Sequence, residues 1–251
     1  MSLKILSWNV NGIRARIKQG FEDAIKEMDP DIICLQEVRA KPNQLPADFL
    51  KGYVGYYSIH AKPGYAGAAT FVKKELIQPF LAVDDFPDGD ETGRVSILDF
   101  KDFKLINSYS PNSGQRLEKL DHRLDWQRKL YYYIKDQMKP VILCGDLNVA
   151  PLKMDNNTSS RPGTSFGERK AFQDILDLGM ADVFREQNPN LVQYTWFSNQ
   201  YNSREQNKGM RLDEFVVSQE LMPQIEHMGH IYEDALICGS DHVPIVLNIN
   251  I

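Results

Sequence analysis

The sequence has few cysteines, no surplus of basic residues and no long apolar run. Only 3 of its 251 residues are cysteine, and none belongs to a C-x-x-C pair. This argues against a disulfide scaffold and a thiolate zinc site, and it favours a reducing compartment. Cys34 and Cys144 lie in apolar runs and are predicted to be buried thiols, whereas Cys238 is predicted to lie in a loop.

Net charge and hydropathy argue against further classes of protein. The formal net charge is −5, which argues against a broad basic surface for polyanions, although a local basic rim or a bound cation would still attract nucleic acid. No apolar run approaches the roughly 20 residues that span a bilayer. A strand-like run begins at Leu3 and leaves no room for a signal peptide. The G-x-x-x-x-G-K-S/T motif of P-loop nucleotidases is absent. We therefore expect a cytoplasmic protein that does not bind membranes.

Short apolar and β-branched runs alternate with helical periodicity along the chain. The predicted strands are residues 3–6, 31–35, 54–59, 68–72, 95–100, 104–108, 141–144, 194–197, 215–217 and 243–249, with 96–100 and 104–108 forming a hairpin. The predicted helices are the one marked by Phe21, Ile25 and Met28, which ends before Asp29-Pro30, the longest one over residues 117–138, and a third over 168–178 that stops at Gly179. Strands alternating with helices and hairpins predict a layered α/β sandwich with mixed sheets.

No linker interrupts the sequence, so we expect a single domain over residues 1–251. Residues 147–167 and 192–210 are the longest stretches without periodicity. Loops of that length in a compact domain are more often functional than idle.

Six short polar motifs lie at the ends of apolar runs. They are Ser7-Trp8-Asn9-Val10-Asn11-Gly12, Leu35-Gln36-Glu37, Tyr109-Ser110-Pro111-Asn112, Gly145-Asp146-Leu147-Asn148, Arg211-Leu212-Asp213 and Ser240-Asp241-His242. Each motif alone is an ordinary strand end or turn. Five follow strand-like segments and the sixth precedes one, so their side chains converge only if the strands share one sandwich. Carboxylates, amides and an imidazole without a thiolate suit a hard cation and a phosphate ester.

Taken together and in order, the six motifs resemble the endonuclease/exonuclease/phosphatase superfamily. The variants Asn11-Gly12-Ile13-Arg14 and Tyr109-x-Pro111-Asn112 narrow the resemblance to the exonuclease III family of abasic-site DNA endonucleases. The resemblance extends from Leu3 to about Leu247. It implies a four-layer α/β sandwich, with two mixed β-sheets face to face and helices outside. It also implies Mg²⁺-dependent hydrolysis of the phosphodiester 5′ to an abasic site, leaving a 3′-hydroxyl, together with trimming of 3′ ends.

The resemblance further implies a metal site and a catalytic group. Mg²⁺ is the expected cofactor, and Mn²⁺ is expected to substitute for it. The expected metal ligands or their close neighbours are Glu37 as the main ligand, Asn9, Asn11 and Asp241, with Asp146, Asn148 and His242 beside them. The expected catalytic residues are Asp146 as the base for the attacking water, Asn148 as its holder, His242 paired with Asp213 and facing the phosphate, and Tyr109 and Asn112 as donors to the phosphate or holders of Asp146.

Contacts to DNA are also implied by the resemblance. The expected substrate is double-stranded DNA with abasic sites or blocked 3′ ends, acted on by a monomer. The residues that match family positions near the DNA are Arg14, Arg39, Tyr65 and Arg94 at the backbone, and Trp196 and Met210 at the pocket for a flipped-out abasic sugar. Core packing remains an equal alternative for Trp196. Met210 replaces a tryptophan that many members carry, and residues 155–168 are shorter than the usual Asn- and Lys-rich stretch.

Two alternative functions stay open at this point. One is a phosphodiesterase of the same superfamily acting on a phospholipid or inositol phosphate. The other is a non-catalytic DNA-binding or scaffold domain. No metal role is predicted for His227 and His230, which are expected near a helix end, and the aromatic run at 131–133 is predicted to be helix packing.

Overall fold

Two six-stranded β-sheets form the centre of the structure, a computed structural model that describes residues 2–59, 62, 64–76, 78–79, 81–83, 93–200 and 202–251. The strands are β1 (Ser2–Asn9), β2 (Ile32–Gln36), β3 (Tyr53–Ser58), β4 (Ala68–Lys73), β5 (Leu81–Val83), β6 (Val95–Asp99), β7 (Lys104–Tyr109), β8 (Val141–Asp146), β9 (Met180–Asp182), β10 (Trp196–Phe197), β11 (Gly209–Met210), β12 (Asp213–Ser218), β13 (Ile225–His230) and β14 (Ile245–Asn250).

The two sheets share one pairing pattern. The first sheet has the order β13-β14-β1-β2-β4-β3, and the second has the order β5-β6-β7-β8-β12-β9. In each sheet a single parallel pair, β1 with β2 and β7 with β8, is flanked by antiparallel strands. The predicted mixed sheets are therefore confirmed, as is the predicted hairpin, which is formed by β6 and β7.

Helices cover the outer face of each sheet. They are α1 (Ile13–Ile17), α2 (Phe21–Met28), α3 (Leu120–Lys135), α4 (Phe166–Leu176), α5 (Val183–Gln187) and α6 (Asp234–Ile237). Alternate residues of a strand point to opposite faces of its sheet, so each buried strand supplies two cores. Ile5 packs between the sheets, whereas Leu6 packs under α2, and Leu143 packs under α3 and α4. The predicted four-layer sandwich is confirmed.

Several predicted boundaries are wrong. The longest helix covers Leu120–Lys135 and not 117–138, because Leu117 has a positive φ of 62° and Met138 is 98% exposed beyond the last turn. The third helix begins earlier and ends earlier, at Phe166–Leu176, since Ser165 caps it in a capping box with Glu168. His227 and His230 lie on strand β13, which directly follows a 3-10 helix over Gln219–Gln224.

Further predictions concern the cysteines and membrane-spanning helices. Cys34, Cys144 and Cys238 are all buried thiols, and Cys238 directly follows α6. In the described part of the chain, none of the helices combines the length and apolar character that a bilayer crossing requires. His60, another histidine without a predicted role, lies outside the described residues.

Candidate active site

The six motifs meet at one end of the sandwich. Parallel pairing brings the end of β1 beside the end of β2, and the end of β7 beside the end of β8. The start of β12 pairs with the end of β8, where Asp213 is opposite Asp146. Together they enclose a cavity of about 140 Å³, lined by Glu37, Tyr109, Asn112, Gln115, Asp146, Asn148, Ser160, Pro162, Trp196, Met210, Leu212, Asp241 and His242.

Asn9 joins the two carboxylates at the centre of the cavity. Its Nδ2 donates to Asp146 Oδ2 at 2.8 Å and to Glu37 Oε1 at 3.3 Å. Its Oδ1 accepts a hydrogen bond from the backbone N–H of Asn11 at 3.0 Å, and this fixes the amide orientation. Asn9 therefore presents its nitrogen to the carboxylates and holds them side by side.

Three site residues have a left-handed backbone. The φ angles of Asn11, Glu37 and Asn148 are 44°, 51° and 48°. Such angles are uncommon outside glycine and cluster at functional sites, where the surrounding structure holds them. In this structure they turn the chain sharply at the strand ends, so that adjacent side chains point into the cavity.

His242 lies between two carboxylates. Its Nδ1 is 2.8 Å from Asp213 Oδ2, and its Nε2 is 3.8 Å from Asp146 Oδ2. Burial alone would lower the pKa of this imidazole, but the charge and hydrogen bond of Asp213, followed by the charge of Asp146, raise the pKa to about 10. The imidazole is therefore cationic at neutral pH.

Asp146 is an unusually weak acid for a carboxyl group that faces a cation. Burial raises its pKa, His242 lowers it, and the charges of Asp213 and Glu37 raise it again, to about 7. A general base works best when its pKa lies near the operating pH. Asp146 is thus poised to accept a proton.

Two asparagines hold the loop after β8. Asn148 Nδ2 donates to the carbonyl of Ser110 at 2.9 Å, and its backbone N–H donates to Asp146 Oδ1 at 3.0 Å. Asn112 Nδ2 in turn donates to Asn148 Oδ1 at 3.0 Å. Asn112 therefore contacts Asn148, which in turn contacts Asp146, and its role as a donor to the phosphate or a holder of Asp146 stays a prediction.

Tyr109 is kept as a neutral phenol. Burial raises its pKa well above the usual value, and the charges of Glu37 and Asp146 raise it further. The guanidinium of Arg94 lies 4.6 Å from the ring centroid of Tyr109, and its Nη2 donates to the Tyr65 hydroxyl at 3.0 Å. Arg94 is only 6% exposed, so it lies under Tyr109 and not on an open surface.

The donor set suits a magnesium ion. Among the described residues, no group of three or more His, Cys, Asp and Glu side chains forms a preformed metal cage. Mg²⁺ does not need one, because it keeps several waters and binds through one or two carboxylates and the substrate phosphate. Glu37 and Asp146, held together by Asn9, are carboxylates that could hold such an ion. The raised pKa of Asp146 has burial as its first cause and neighbouring negative charge as another, and a cation would relieve that repulsion.

Asp241 connects this centre to the apolar wall of the cavity. Asn11 Nδ2 donates to Asp241 Oδ1 at 2.8 Å, and Trp196 Nε1 donates to Asp241 Oδ2 at 3.1 Å. Trp196 is half-buried and pairs with Met210 across β10 and β11, packing against a small cluster that contains Leu212. Its ring thus packs against neighbours and also lines the cavity, and contact with an abasic sugar stays a prediction.

Basic side chains lie beside the cavity. Arg14 and Arg39 line a second, open cavity of about 450 Å³, together with Lys18. Tyr65 is 43% exposed. Lys18 has no distinctive sequence context, and only the packing of α1 shows that it faces the same surface as the two arginines.

Residues 163–167 match the G-x-S-x-G pattern of serine hydrolases. Ser165 is the N-cap of α4, and its Oγ is 2.7 Å from Glu168 Oε2. A nucleophile elbow requires a strand-to-helix turn and a histidine base. Ser165 has a capping role instead.

Comparisons with known proteins agree with this geometry. The model of the endonuclease/exonuclease/phosphatase family matches residues 6–242. A Bacillus subtilis exodeoxyribonuclease is 42% identical over 99% of this chain and 100% of its own length. The DNA repair nuclease APEX1 of Danio rerio is 38% identical over 98% of this chain and 82% of its own length. The solved structure of an AP endonuclease from Archaeoglobus fulgidus superimposes with a TM-score of 0.89 at 28% identity, covering 99% of this chain and 100% of that one.

Proposed function

This chain belongs to the endonuclease/exonuclease/phosphatase family, and we propose that it is a Mg²⁺-dependent DNA repair nuclease that hydrolyses the phosphodiester 5′ to an abasic site and also trims 3′ ends. The observation that carries the proposal is the continuous series of contacts from Asp213 through His242 to Asp146, Asn9 and Glu37. A base, a cation and a metal-binding carboxylate adjoin one cavity, as phosphodiester hydrolysis requires.

Asp146 is the group that takes the proton from the attacking water. Its pKa of about 7, raised first by burial, leaves a substantial carboxylate fraction at neutral pH and gives that carboxylate enough basicity to accept a proton. Asn148 orients the water, since its amide lies between Ser110 and Asp146. The water then attacks phosphorus from the Asp146 side, and its proton passes to the carboxylate.

Charge that develops on the phosphate oxygens is met by two donors. The cationic His242 imidazole turns Nε2 to the cavity while Asp213 holds Nδ1, and Tyr109 offers a phenolic hydroxyl that burial keeps protonated. Preorganised donors of this kind stabilise the transition state without reorganisation. Bound near Glu37, with Asn9, Asn11 and Asp241 around it, Mg²⁺ would supply positive charge to the phosphate and the departing oxygen.

We assign substrate selection to the apolar wall of the cavity and to the basic side chains beside it. Trp196, Met210 and Leu212 form an apolar surface that suits a sugar without a base, and extrusion of such a sugar costs little stacking energy. Arg14 and Arg39 lie beside the cavity and suit the DNA backbone. A monomeric state and a cytoplasmic location complete the proposal, and the first is supported by a site built from one chain.

The deciding experiment uses an end-labelled duplex with one central abasic site beside an undamaged duplex, each with Mg²⁺ or with EDTA. We expect a single Mg²⁺-dependent cut at the lesion. A ladder from the 3′ end on both duplexes without the lesion cut would make the protein chiefly an exonuclease. No cleavage of either duplex would favour the phosphodiesterase alternative, and binding without any metal-dependent cleavage would favour the non-catalytic one.

Two variants test the assignment of the site. Glu37→Ala and Asp146→Asn should each lower turnover by at least about 100-fold, as loss of a general base or of metal-bound charge does. Circular dichroism should show an unchanged fold in both. Near-full activity in either variant would mean that the site has been misplaced.

A further inference from the structure

Arg211 lies at the centre of a buried ionic cluster behind the cavity. Its side chain has no exposed surface. Nε and Nη2 donate to Asp155 at 3.0 and 3.2 Å, and Nη1 and Nη2 donate to Asp182 at 3.1 and 2.6 Å. Each carboxylate is thus bound in a bidentate manner, which fixes direction as well as distance. We refer to Arg211, Asp155 and Asp182 as the Arg211 clamp.

The two carboxylates of the clamp belong to different parts of the fold. Asp155 lies in the 147–167 loop, whose Ser160 and Pro162 line the cavity. Asp182 ends β9 and caps α5, where its Oδ1 accepts from the Arg185 backbone N–H at 3.2 Å. Asp155 therefore connects Arg211 to the cavity wall, whereas Asp182 connects Arg211 to β9 of the second sheet.

Backbone hydrogen bonds also join residues 155–157 to the segment at 209–211 that lines the cavity. The Arg211 N–H donates to the Asp155 carbonyl at 2.8 Å, and the Asn157 N–H donates to the Gly209 carbonyl at 3.0 Å. A bridge between Asn156 and Met210 lies between them. Residues 155–157 thus pair with the β11 segment through one antiparallel bridge and two backbone hydrogen bonds, and they join the loop to the segment that carries the pocket residues.

We propose that Arg211 is a positioning residue for substrate selection: through Asp155 it holds the 147–167 loop against Met210 and Leu212, and so sets the width of the opening that receives the substrate. The proposal rests on the nuclease function proposed above and deepens it. Arg211 acts only through its neighbours, since both residues that flank it line the cavity while its own side chain points into the buried cluster.

Asp155→Asn and Asp182→Asn form a matched pair for the test. Each keeps the size of the side chain, removes one negative charge beside Arg211 and replaces one acceptor oxygen with an NH2 group, so that one bond of the bidentate pair is lost. We expect Asp155→Asn to raise KM for the abasic duplex about tenfold, within the range that altered pocket contacts produce, with kcat and its pH profile unchanged. Asp182→Asn should leave KM unchanged in spite of a comparable fall in melting temperature. Equal effects of the two variants on KM, or no effect of Asp155→Asn, would overturn the proposal.

A second measurement does not depend on nuclease activity. Lys153 is exposed and lies two residues before Asp155 in the same short 3-10 helix, so tryptic cleavage after Lys153 reports release of the loop. Cleavage of the native protein should be faster in Asp155→Asn than in the wild type and unchanged in Asp182→Asn. If Asp155→Asn does not fold, Arg185→Gln removes the 2.6 Å pair with the same carboxylate and should act in the same direction, and no change in it would overturn the proposal.

The two proposals fail separately. A wild-type protein that cuts neither abasic duplex nor 3′ ends would overturn the nuclease function, while the tryptic comparison would still decide whether the clamp holds the loop. A wild-type protein that cuts abasic DNA, with tryptic rates equal in the matched pair, would overturn only the role of Arg211.

Discussion

Trp196 and Asp241 are joined by a hydrogen bond of 3.1 Å from the indole Nε1 to carboxylate Oδ2. The other oxygen of Asp241 accepts from Asn11 at 2.8 Å. An apolar wall residue and a polar residue beside the expected metal position are therefore parts of one rigid unit. A substitution of either residue should therefore alter both the apolar wall and the expected metal position.

Trp196→Phe removes the indole N–H and keeps an apolar ring in the cavity wall. Hydrogen bonds to charged groups contribute about 1.5–3 kcal/mol, so we expect the Mg²⁺ concentration for half-maximal activity to rise about tenfold. Trp126→Phe on α3, a buried tryptophan remote from the cavity, should leave it unchanged. A Mg²⁺ titration of abasic-site cleavage measures both, and equal values for the wild type and Trp196→Phe would contradict the coupling.

Asp213→Asn should change the pH dependence of catalysis. In the wild type, burial lowers the pKa of His242, but Asp213 overcomes this effect and the pKa is about 10. Without the charge of Asp213 the burial effect dominates, so the imidazole becomes neutral at a lower pH. We expect the alkaline limb of kcat to move to lower pH and kcat at pH 8 to fall about 100-fold or more.

The same substitution should also change how the free energy of unfolding depends on pH. A raised folded-state pKa stabilises the protein fully below the unfolded value of 6.5, and this stabilisation is lost as pH rises through about 10. The free-energy difference between the wild type and Asp213→Asn should therefore be largest at low pH and shrink towards pH 10. Urea unfolding at several pH values measures this difference. For the kinetic prediction, an alkaline limb of kcat that is identical in both proteins would contradict the role of Asp213.

Arg94→Lys distinguishes a DNA contact from a contact within the protein. Lysine cannot stack its charge over the Tyr109 ring and bond to Tyr65 as the planar guanidinium does. We expect kcat to fall about tenfold through misplacement of Tyr109, with the salt dependence of KM unchanged. Arg14→Ala, on the exposed rim, should instead reduce the slope of log KM against log salt by about one. An unchanged kcat in Arg94→Lys would contradict this role of Arg94, and a reduced slope in the charge-removing variant Arg94→Gln would support the predicted contact with the DNA backbone.

Gly145→Ala should destabilise the fold. A Cβ at Gly145 would lie 1.9 Å from the Ser108 carbonyl oxygen, and its φ is +133°. Both the clash and the backbone angle are unfavourable, so we expect a loss of about 3 kcal/mol or more in urea unfolding. Gly52→Ala, where nothing lies within 4 Å, is the control and should be nearly neutral.

Local patterns predicted a layered α/β sandwich with mixed sheets, whereas the four-layer arrangement and the roles of the site residues were implied by the resemblance of the six motifs to a known family. Apolar runs such as 141–144 mark buried strands, and the polar residues after them are brought together by parallel pairing. The capping box at Ser165 and Glu168 was also readable, yet we began that helix at Glu168 itself. The short helices α5 and α6 and strand β13 carry too little periodicity to be detected.

Contacts between distant residues could not be predicted in the same way. The Arg211 clamp joins positions 155, 182 and 211, and no local pattern indicates which acid an arginine will meet. The burial of Arg94 likewise depends on the packing of Tyr65 and Tyr109 around it. The amide orientation of Asn9 follows from one backbone N–H, that of Asn11, which only the three-dimensional structure shows.

The position of β14 between β13 and β1 has a consequence for truncated copies of the chain. A copy that ends before residue 242 lacks the His242 imidazole and leaves the edge of β1 open to other strands. In the folded protein, Ser240 Oγ donates to the Asn9 carbonyl at 2.8 Å and joins the segment before β14 to the end of β1. The same segment therefore completes both the first sheet and the site, so that such a truncated copy should have neither.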